Sequence, residues 1–344
     1  MPDFPYINAR VRAMRSRLLD AARIDELLAA PSFEAFLQAL GSSPYSRELQ
    51  EALTRFTGLA AIDEALARNF LGTTTKILSF ADGKARELIA AVLLRWDRAN
   101  VRAILRGKHT GRAEEEIMAS ILPAGTLGEV LLRDLVRQPD VGAVAGALEA
   151  VGHPLGPAIA AALAGYQADQ DLMRLELSLD RIYAEHVLAI ARGNGHNEEV
   201  LRRTVQMEID ALNVKTAAKL ARLEEGIDAA GRRRFFIPGG AVVDEKLFLG
   251  LSARDTLEAS WQVLRIRGFP AGVVPEDLTE FERGLDALLA REAARRYLGD
   301  PLSLDVVIGF LALKYNEVVN LRLVARSKAF GIPREMVRKE MALA

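Results

Sequence analysis

A predicted helix within residues 93–111, LLRWDRANVRAILRGKHTG, carries two polar residues in the middle of its apolar stripe. At 100° per residue, Leu93, Asp97, Asn100 and Ile104 fall within about 60° of one another. A buried polar group without a hydrogen-bond partner costs about 1–3 kcal/mol, and a charged group costs more. The fold therefore has to supply partners for Asp97 and Asn100, or else use them for chemistry.

The same pattern recurs twice, as MEIDALNVKTAAKL at 207–220 and YNEVVNLRLVARSK at 315–328. In each copy an acidic residue is followed three positions later by asparagine, and basic residues come two and six positions after the asparagine. The acidic and amide positions are Asp97, Asn100, Asp210, Asn213, Glu317 and Asn320. The basic positions are Arg102, Arg106, Lys215, Lys219, Arg322 and Arg326. The three asparagines are 113 and 107 positions apart.

A second landmark repeats with nearly the same step. Asp63, Glu176 and Glu282 each lie three positions before a leucine, and they are 113 and 106 positions apart. A Pro-x-Gly turn also follows the first two copies of the helix, in ILPAGTL at 121–127 and FIPGGAV at 236–242. Agreement between independent landmarks indicates internal repetition. We therefore predict three homologous modules, at residues 1–122, 123–237 and 238–344.

Helical periodicity dominates the whole chain, whereas β-branched runs are short and lack alternation. Glycine and proline cluster in short turns, which favours many helices of moderate length. The N-terminus has no apolar segment typical of a signal peptide. The most apolar long stretch, residues 142–165, is rich in alanine and glycine and too weakly hydrophobic to span a bilayer. The predicted fold class is therefore all-α.

Two interpretations of the acid–amide pair stay open. It is a buried network, satisfied by internal hydrogen bonds, that fixes how helices pack, or it is a carboxylate site for acid–base or metal chemistry. The chemical interpretation needs two converging carboxylates, whereas each module supplies one at this position. The basic positions fall on the opposite face of the helix. They form either a solvated face or a docking surface for an acidic partner.

Composition and motifs argue against several classes of site. The formal net charge is −1 and the chain has no cysteine, which disfavours nucleic-acid binding and excludes thiolate chemistry. The four histidines, His109, His153, His186 and His196, show no metal-ligand spacing. The segment GTTTK at 72–76 lacks the Gly-Lys pair of a phosphate-binding loop. We predict no catalytic residue, no metal site and no cofactor.

The repeated helices also carry a family likeness. The opening YINARVRAMRSRLL and the three asparagine-bearing helices, taken in order, resemble the C subunit of the prokaryotic V/A-type rotary ATPases. The eukaryotic counterpart of that protein is the d subunit of the vacuolar ATPase. The resemblance extends from about Tyr6 to Glu340, which is nearly the whole chain.

This resemblance implies a funnel-shaped protein whose three modules have a pseudo-threefold arrangement. It implies one copy per complex, peripheral on the cytoplasmic face of the membrane, in contact with the membrane only through the proteolipid rotor ring. The protein would receive the central stalk and transmit torque during proton or sodium transport, without catalysis and without binding nucleic acid. Two rival functions stay open. One is a free-standing α-solenoid adaptor, for which a repeat of about 110 residues is too long, and the other is an all-α enzyme with an unrecognised pocket.

Overall fold

The structure, a computed structural model, describes residues 3–223, 226–253, 257–266 and 277–341. Every regular element in these ranges is a helix and none is a β-strand, so the predicted all-α class is confirmed. No helix in the described ranges is both long enough and apolar enough to cross a bilayer.

The helices follow one another through short turns. The first half of the chain contains α1 Phe4–Arg15, α2 Ala21–Ala29, α3 Phe33–Gly41, α4 Ser46–Leu53, α5 Gly58–Ser79, α6 Gly83–His109, α7 Glu114–Ser120, α8 Glu129–Arg137, α9 Val141–Ala150 and α10 Gly156–Asp169. The second half contains α11 Leu172–Ile190, α12 His196–Leu220, α13 Ala229–Arg233, α14 Glu245–Ser252, α15 Leu257–Ile266, α16 Leu278–Arg295, a 3₁₀ turn at Arg296–Leu298, α17 Asp305–Phe330 and α18 Arg334–Glu340.

The chain divides into two compact units. Unit 1 contains residues 1–144 and 293–344, and unit 2 contains residues 145–292. Unit 1 therefore joins the beginning and the end of the chain. The division into three modules at 1–122, 123–237 and 238–344 stays a prediction.

An aromatic cluster connects the three longest helices of unit 1. Phe70 of α5 packs edge-on against Trp96 of α6, with ring centroids 5.2 Å apart. Tyr315 of α17 lies 6.3 Å from both rings. Aromatic pairs at these distances add about 0.5–1.5 kcal/mol beyond the burial of their area. The cluster therefore ties together the helices that carry the first and third copies of the repeated pattern.

Helices α6 and α17 also end in the same way. Gly111 and Gly331 both have φ +66°, a left-handed conformation that glycine adopts without steric cost. The next residue in each case donates its backbone N–H back into the last turn, from Arg112 to the Gly107 carbonyl and from Ile332 to the Ser327 carbonyl, both at 2.9 Å. Equivalent positions of the two helices thus have equivalent end caps.

The core of unit 2 forms around α12 and α14. Val214 and Phe248 pack there with Trp261 and Phe281, whose rings meet edge-on with centroids 5.6 Å apart. Asp244 caps the start of α14 by accepting a hydrogen bond from the Leu247 N–H at 2.7 Å. The segment that leads into α14 is therefore fixed at its end by the cap.

Candidate functional site: buried clamps on three connectors

The repeated acid–amide pairs all lie beside segments that join two helices. We call these segments the first connector (residues 121–128, before α8), the second connector (residues 234–244, before α14) and the third connector (residues 16–20, before α2). We call an acid–amide pair together with its connector a clamp. Each clamp holds the segment that leads into a new short helix.

In the first clamp, α6 binds the first connector through Asp97 and Asn100, both buried. The Asp97 carboxylate accepts hydrogen bonds from the Thr126 N–H and hydroxyl, both at 2.7 Å, and from the Leu127 N–H at 3.0 Å. Asn100 exchanges two bonds with the Leu122 backbone, donating to its carbonyl at 2.8 Å and accepting from its N–H at 2.9 Å. The polar groups of the apolar stripe are thus bound mainly to backbone rather than to other side chains.

The second clamp repeats this chemistry between α12 and the second connector. Asp210 accepts from the N–H groups of Ala241 and Val242 at 3.0 Å and of Val243 at 2.9 Å. Asn213 donates to the Ile237 carbonyl at 2.7 Å and accepts from its N–H at 2.9 Å. Burial raises the pKa of Asp210 above its ordinary value, and the three backbone N–H bonds offset that rise only in part.

A glycine in each of these connectors allows the carboxylate to approach. A Cβ atom on Gly125 would lie 1.9 Å from the Asp97 Oδ1 atom, and a Cβ atom on Gly240 would lie 2.1 Å from the Asp210 Oδ1 atom. Neither glycine has a positive φ. These glycines are therefore required by the close approach of the carboxylate and not by backbone conformation.

The third clamp differs in its chemistry. Glu317 and Asn320 are buried on α17, and the Glu317 carboxylate accepts a hydrogen bond from the Leu19 N–H of the third connector. The same carboxylate accepts from the Tyr45 hydroxyl at 2.5 Å and from the Lys314 ammonium at 2.7 Å. The Glu317 carboxylate thus holds the third connector and also forms a buried ion pair with Lys314 of its own helix.

Lys314 and Tyr45 were missed by the sequence analysis. Burial lowers the pKa of Lys314, and burial together with the charge of Glu317 raises the pKa of Tyr45 well above its ordinary value. Lys314 also donates to the Tyr45 hydroxyl at 2.7 Å. Its position three residues before Glu317 on the same helical face was the available signal, whereas Tyr45 is far away in sequence and gave none.

The structure pairs four of the six predicted basic positions with acids inside their own unit. Lys215 bonds Asp286, and Lys219 bonds Glu282 at 2.6 Å. Arg322 and Arg326 both bond Asp63, at 3.0 and 3.2 Å. Asp63 and Glu282 belong to the acidic series found in the repeat search. On α6, Arg102 is half-buried and Arg106 is exposed.

The clamp carboxylates are well supplied with hydrogen-bond donors, and hydrogen bonds to charged groups contribute about 1.5–3 kcal/mol each. Three donors reach Asp97, three reach Asp210 and three reach Glu317. Among the described residues, no group of three histidine or acidic side chains is placed to hold a metal ion. What the geometry supplies is rigid attachment of each connector to a long helix.

Replacing Asn213 with leucine is expected to lower the free energy of unfolding of unit 2 by about 2–5 kcal/mol. The change leaves the buried N–H and carbonyl of Ile237 without their partner, and each such group costs about 1–3 kcal/mol. Urea denaturation followed by Trp261 fluorescence, in a Trp96→Phe background, measures the loss. Asn194→Leu, the same change in an exposed loop, is the control. Equal stabilities for the two variants would contradict the role of Asn213.

Comparison of the sequence with known proteins identifies its family. The profile of the family described as ATP synthase (C/AC39) subunit matches residues 7–340. The chain is 36% identical to the C subunit of a V-type ATP synthase from Thermus thermophilus, covering 98% of both sequences. It is 31% identical to the C subunit of a V-type ATP synthase from Deinococcus radiodurans, covering 99% of this chain and 92% of that protein. The C subunit of an A-type ATP synthase from Haloferax volcanii is 28% identical over 98% of this chain and 97% of its own length. The chain therefore belongs to the ATP synthase (C/AC39) subunit family.

Proposed function

We propose that this protein is the non-catalytic central rotor subunit of a V/A-type ATPase or ATP synthase. It joins the central stalk to the proteolipid ring and transmits torque during ATP-driven or ATP-producing transport of protons or sodium ions. It acts as one copy per complex, on the cytoplasmic face of the membrane. Similarity to the C subunits of V-type and A-type ATP synthases over nearly the full length supports this function.

The observation that carries the proposal is the set of three buried clamps. A part that transmits torque has to resist local opening, because a segment that opens absorbs motion instead of passing it on. Fully bonded polar networks in a low-dielectric interior are rigid and specify one geometry. Helices α6 and α12 bind the backbone of their connectors through both members of the acid–amide pair, and α17 binds its connector through the Glu317 carboxylate. A pseudo-threefold, funnel-like arrangement of three modules is part of this proposal.

The proposed contact with an acidic surface of a neighbouring protein in the motor lies at the basic positions of the repeated helices. Lys215, Lys219, Arg322 and Arg326 form ion pairs with acids of their own unit. Arg106 is exposed on the surface of α6, and Arg102 lies one turn before it. We propose the contact at these two positions because the Arg106 side chain is exposed to solvent.

Binding of the purified chain to the isolated parts of the motor tests this function. We expect it to co-elute in size-exclusion chromatography with a detergent-solubilised proteolipid ring and, in a separate experiment, with the central stalk proteins. The double variant Arg102→Glu and Arg106→Glu is expected to weaken one of these complexes at least tenfold while keeping the melting temperature of the native chain. A free-standing adaptor protein would bind neither part, and that result would contradict the proposal.

A further inference from the structure

The first helix and the turn after it carry a group of arginines that have no acidic partner in the described part of the chain. Residues 4–19 contain four arginines, Arg10, Arg12, Arg15 and Arg17, and no aspartate or glutamate. All four arginines are exposed, and none forms an ion pair with a carboxylate of the described residues. Their charges are therefore uncompensated, although the net charge of the protein is −1. On a helical wheel, Arg10 and Arg12 lie about 160° apart, on the two flanks of the side of α1 that faces away from the buried residues Phe4, Ile7 and Val11, and Arg17 lies in the turn after the helix.

Aromatic rings hold two of these arginines in place. The Arg10 guanidinium lies 5.3 Å from the centroid of the Tyr6 ring and 5.0 Å from that of Phe80. It also donates a hydrogen bond to the Tyr6 hydroxyl at 3.0 Å. The Arg15 guanidinium lies 5.1 Å from the centroid of the Tyr297 ring. Cation–π contact orders a guanidinium but leaves its charge unneutralised, so donors stay available for an anion.

Exposed leucines lie beside this helix. Asn8 of α1 donates hydrogen bonds to the carbonyls of Pro301 at 2.9 Å and Ser303 at 2.8 Å, which places the segment 297–303 along α1. Within that segment the exposed fraction is 84% for Leu298 and 59% for Leu302. Exposed leucines next to arginines form an amphiphilic surface. We call the surface formed by Tyr6, Arg10, Arg12, Arg15, Arg17, Leu298 and Leu302 the α1 surface.

Among the described residues, no acid of the adjoining turns forms an ion pair with these arginines. Asp300 accepts the Leu302 N–H at 2.9 Å and so serves as a turn cap. Asp305 is paired with Arg296 at 2.8 Å. Asp20 caps α2 by accepting the Arg23 N–H at 2.8 Å. The positive charge of the α1 surface therefore faces solvent.

We propose that the α1 surface binds the headgroups of anionic phospholipids at the membrane surface. The guanidinium groups bond to phosphate, which they recognise bidentately, and Leu298, Leu302 and the ring of Tyr6 enter the boundary between headgroups and acyl chains. This contact is additional to docking on the ring, so it goes beyond the proposed function. It does not depend on that function for its test.

Lipid is favoured over an acidic protein by the distribution of the charges. The arginines from residue 10 to residue 15 span about 8 Å of α1 and point in different directions around it, and Arg17 follows in the turn. Phosphates spread over a membrane surface can bond to arginines that point in different directions, whereas a single protein carboxylate binds two donors that converge on it. The leucines add to lipid affinity without a shaped pocket.

Co-sedimentation of the full chain with vesicles tests the proposal. One set of vesicles is phosphatidylcholine alone, and the other contains phosphatidylglycerol as about a third of its lipid, enough to give an anionic surface. We expect binding only to the anionic set, with an affinity that falls as salt rises. The triple variant Arg10→Gln, Arg12→Gln and Arg17→Gln is expected to bind about 100-fold more weakly, because each arginine near an anionic surface contributes about fivefold. Leu298→Ser with Leu302→Ser is expected to weaken binding with no change in salt dependence.

The matched control removes three charges elsewhere in the same unit. Arg47, Arg133 and Arg137 lie on α4 and α8, each beside an acidic residue. Their triple change to glutamine is expected to leave vesicle binding within about twofold of the native chain. Every variant has to keep the native melting temperature. If the triple variant does not keep it, the double variant Arg12→Gln and Arg17→Gln, which leaves the Arg10 contacts intact, takes its place.

Three results would overturn the proposal. They are equal binding to both vesicle sets, equal loss in the control, and no vesicle binding combined with weaker binding of the triple variant to the solubilised ring. The last result would assign the arginines to an acidic protein surface. If the chain binds vesicles but binds neither the ring nor the stalk, the result instead contradicts the proposed function and supports the lipid site.

Discussion

Replacing Glu317 with glutamine is expected to lower the free energy of unfolding of unit 1 by about 3–5 kcal/mol. Lys314 is only 4% exposed, and Glu317 supplies the charge that holds its ammonium group in the interior. Breaking a buried ion pair leaves an uncompensated charge, which accounts for a loss of this size. Urea denaturation followed by Trp96 fluorescence, in a Trp261→Phe background, measures it. Glu335→Gln, on the exposed face of α18, is the matched control and is expected to change little.

The double variant Lys314→Met and Glu317→Gln separates charge from shape. We expect it to recover at least half of the loss, because the buried charge is gone while the glutamine still accepts from Leu19 and Tyr45. If the single and double variants are equally unstable, the ion pair is not the cause of the loss.

The loss in free energy of unfolding caused by Glu317→Gln is also expected to become smaller as the pH rises. Burial lowers the pKa of folded Lys314, so the folded chain releases this proton before the unfolded chain does. The contribution of Lys314 to the free energy of unfolding therefore increases as the pH rises towards about 10.4, the pKa of lysine in the unfolded chain. Loss of Glu317 removes a charge that raises this pKa, so the effect is larger in the variant.

Replacing Gly240 with alanine is expected to lower the free energy of unfolding of unit 2 by about 3–5 kcal/mol. The new Cβ atom would lie 2.1 Å from the Asp210 Oδ1 atom, so the carboxylate has to leave the N–H groups of Ala241, Val242 and Val243. Losing charge-assisted bonds in the interior, with the charge left buried, gives this magnitude. Urea denaturation followed by Trp261 fluorescence, in the Trp96→Phe background, measures the loss.

Gly250→Ala is the matched control for this change. Gly250 lies inside α14 in the same unit, and a Cβ atom there meets nothing within 4 Å. Alanine in a helix interior is more stable than glycine by about 0.5–1 kcal/mol, so this variant is expected to gain stability. Equal effects at the two positions would show that the clamp carboxylate does not require the glycine.

The all-α class could be predicted because it depends on local periodicity, which the sequence displays directly. The helical wheel likewise places Asp97, Asp210 and Glu317 on apolar stripes, and the structure shows them buried. What the wheel cannot give is the partner of each group. The sequence showed the Pro-x-Gly turns as breaks between helices. It did not show that the first two acid–amide pairs bind their backbone, because that contact depends on how the chain folds back against the helix.

The partners of Glu317 that lie far away in sequence could not be predicted from local pattern. Its partners, Leu19 and Tyr45, are 298 and 272 positions away from Glu317. The acids that bond the basic stripes show the same difficulty. Asp63 was recognised as a repeat landmark, but nothing local showed that it receives Arg322 and Arg326 from the other end of the chain. Long-range pairing is set by tertiary packing, which no window of sequence contains.

Our central proposal is that this protein couples ATP hydrolysis to ion movement mechanically and adds no chemistry of its own. The most direct measurement is ATP-driven ion uptake by reconstituted vesicles, recorded together with ATP hydrolysis, with the chain present, absent and added back. We predict that without the chain the catalytic head still hydrolyses ATP while ion uptake falls to background, and that the purified chain restores uptake. Ion uptake that persists at native levels without the chain would contradict the account.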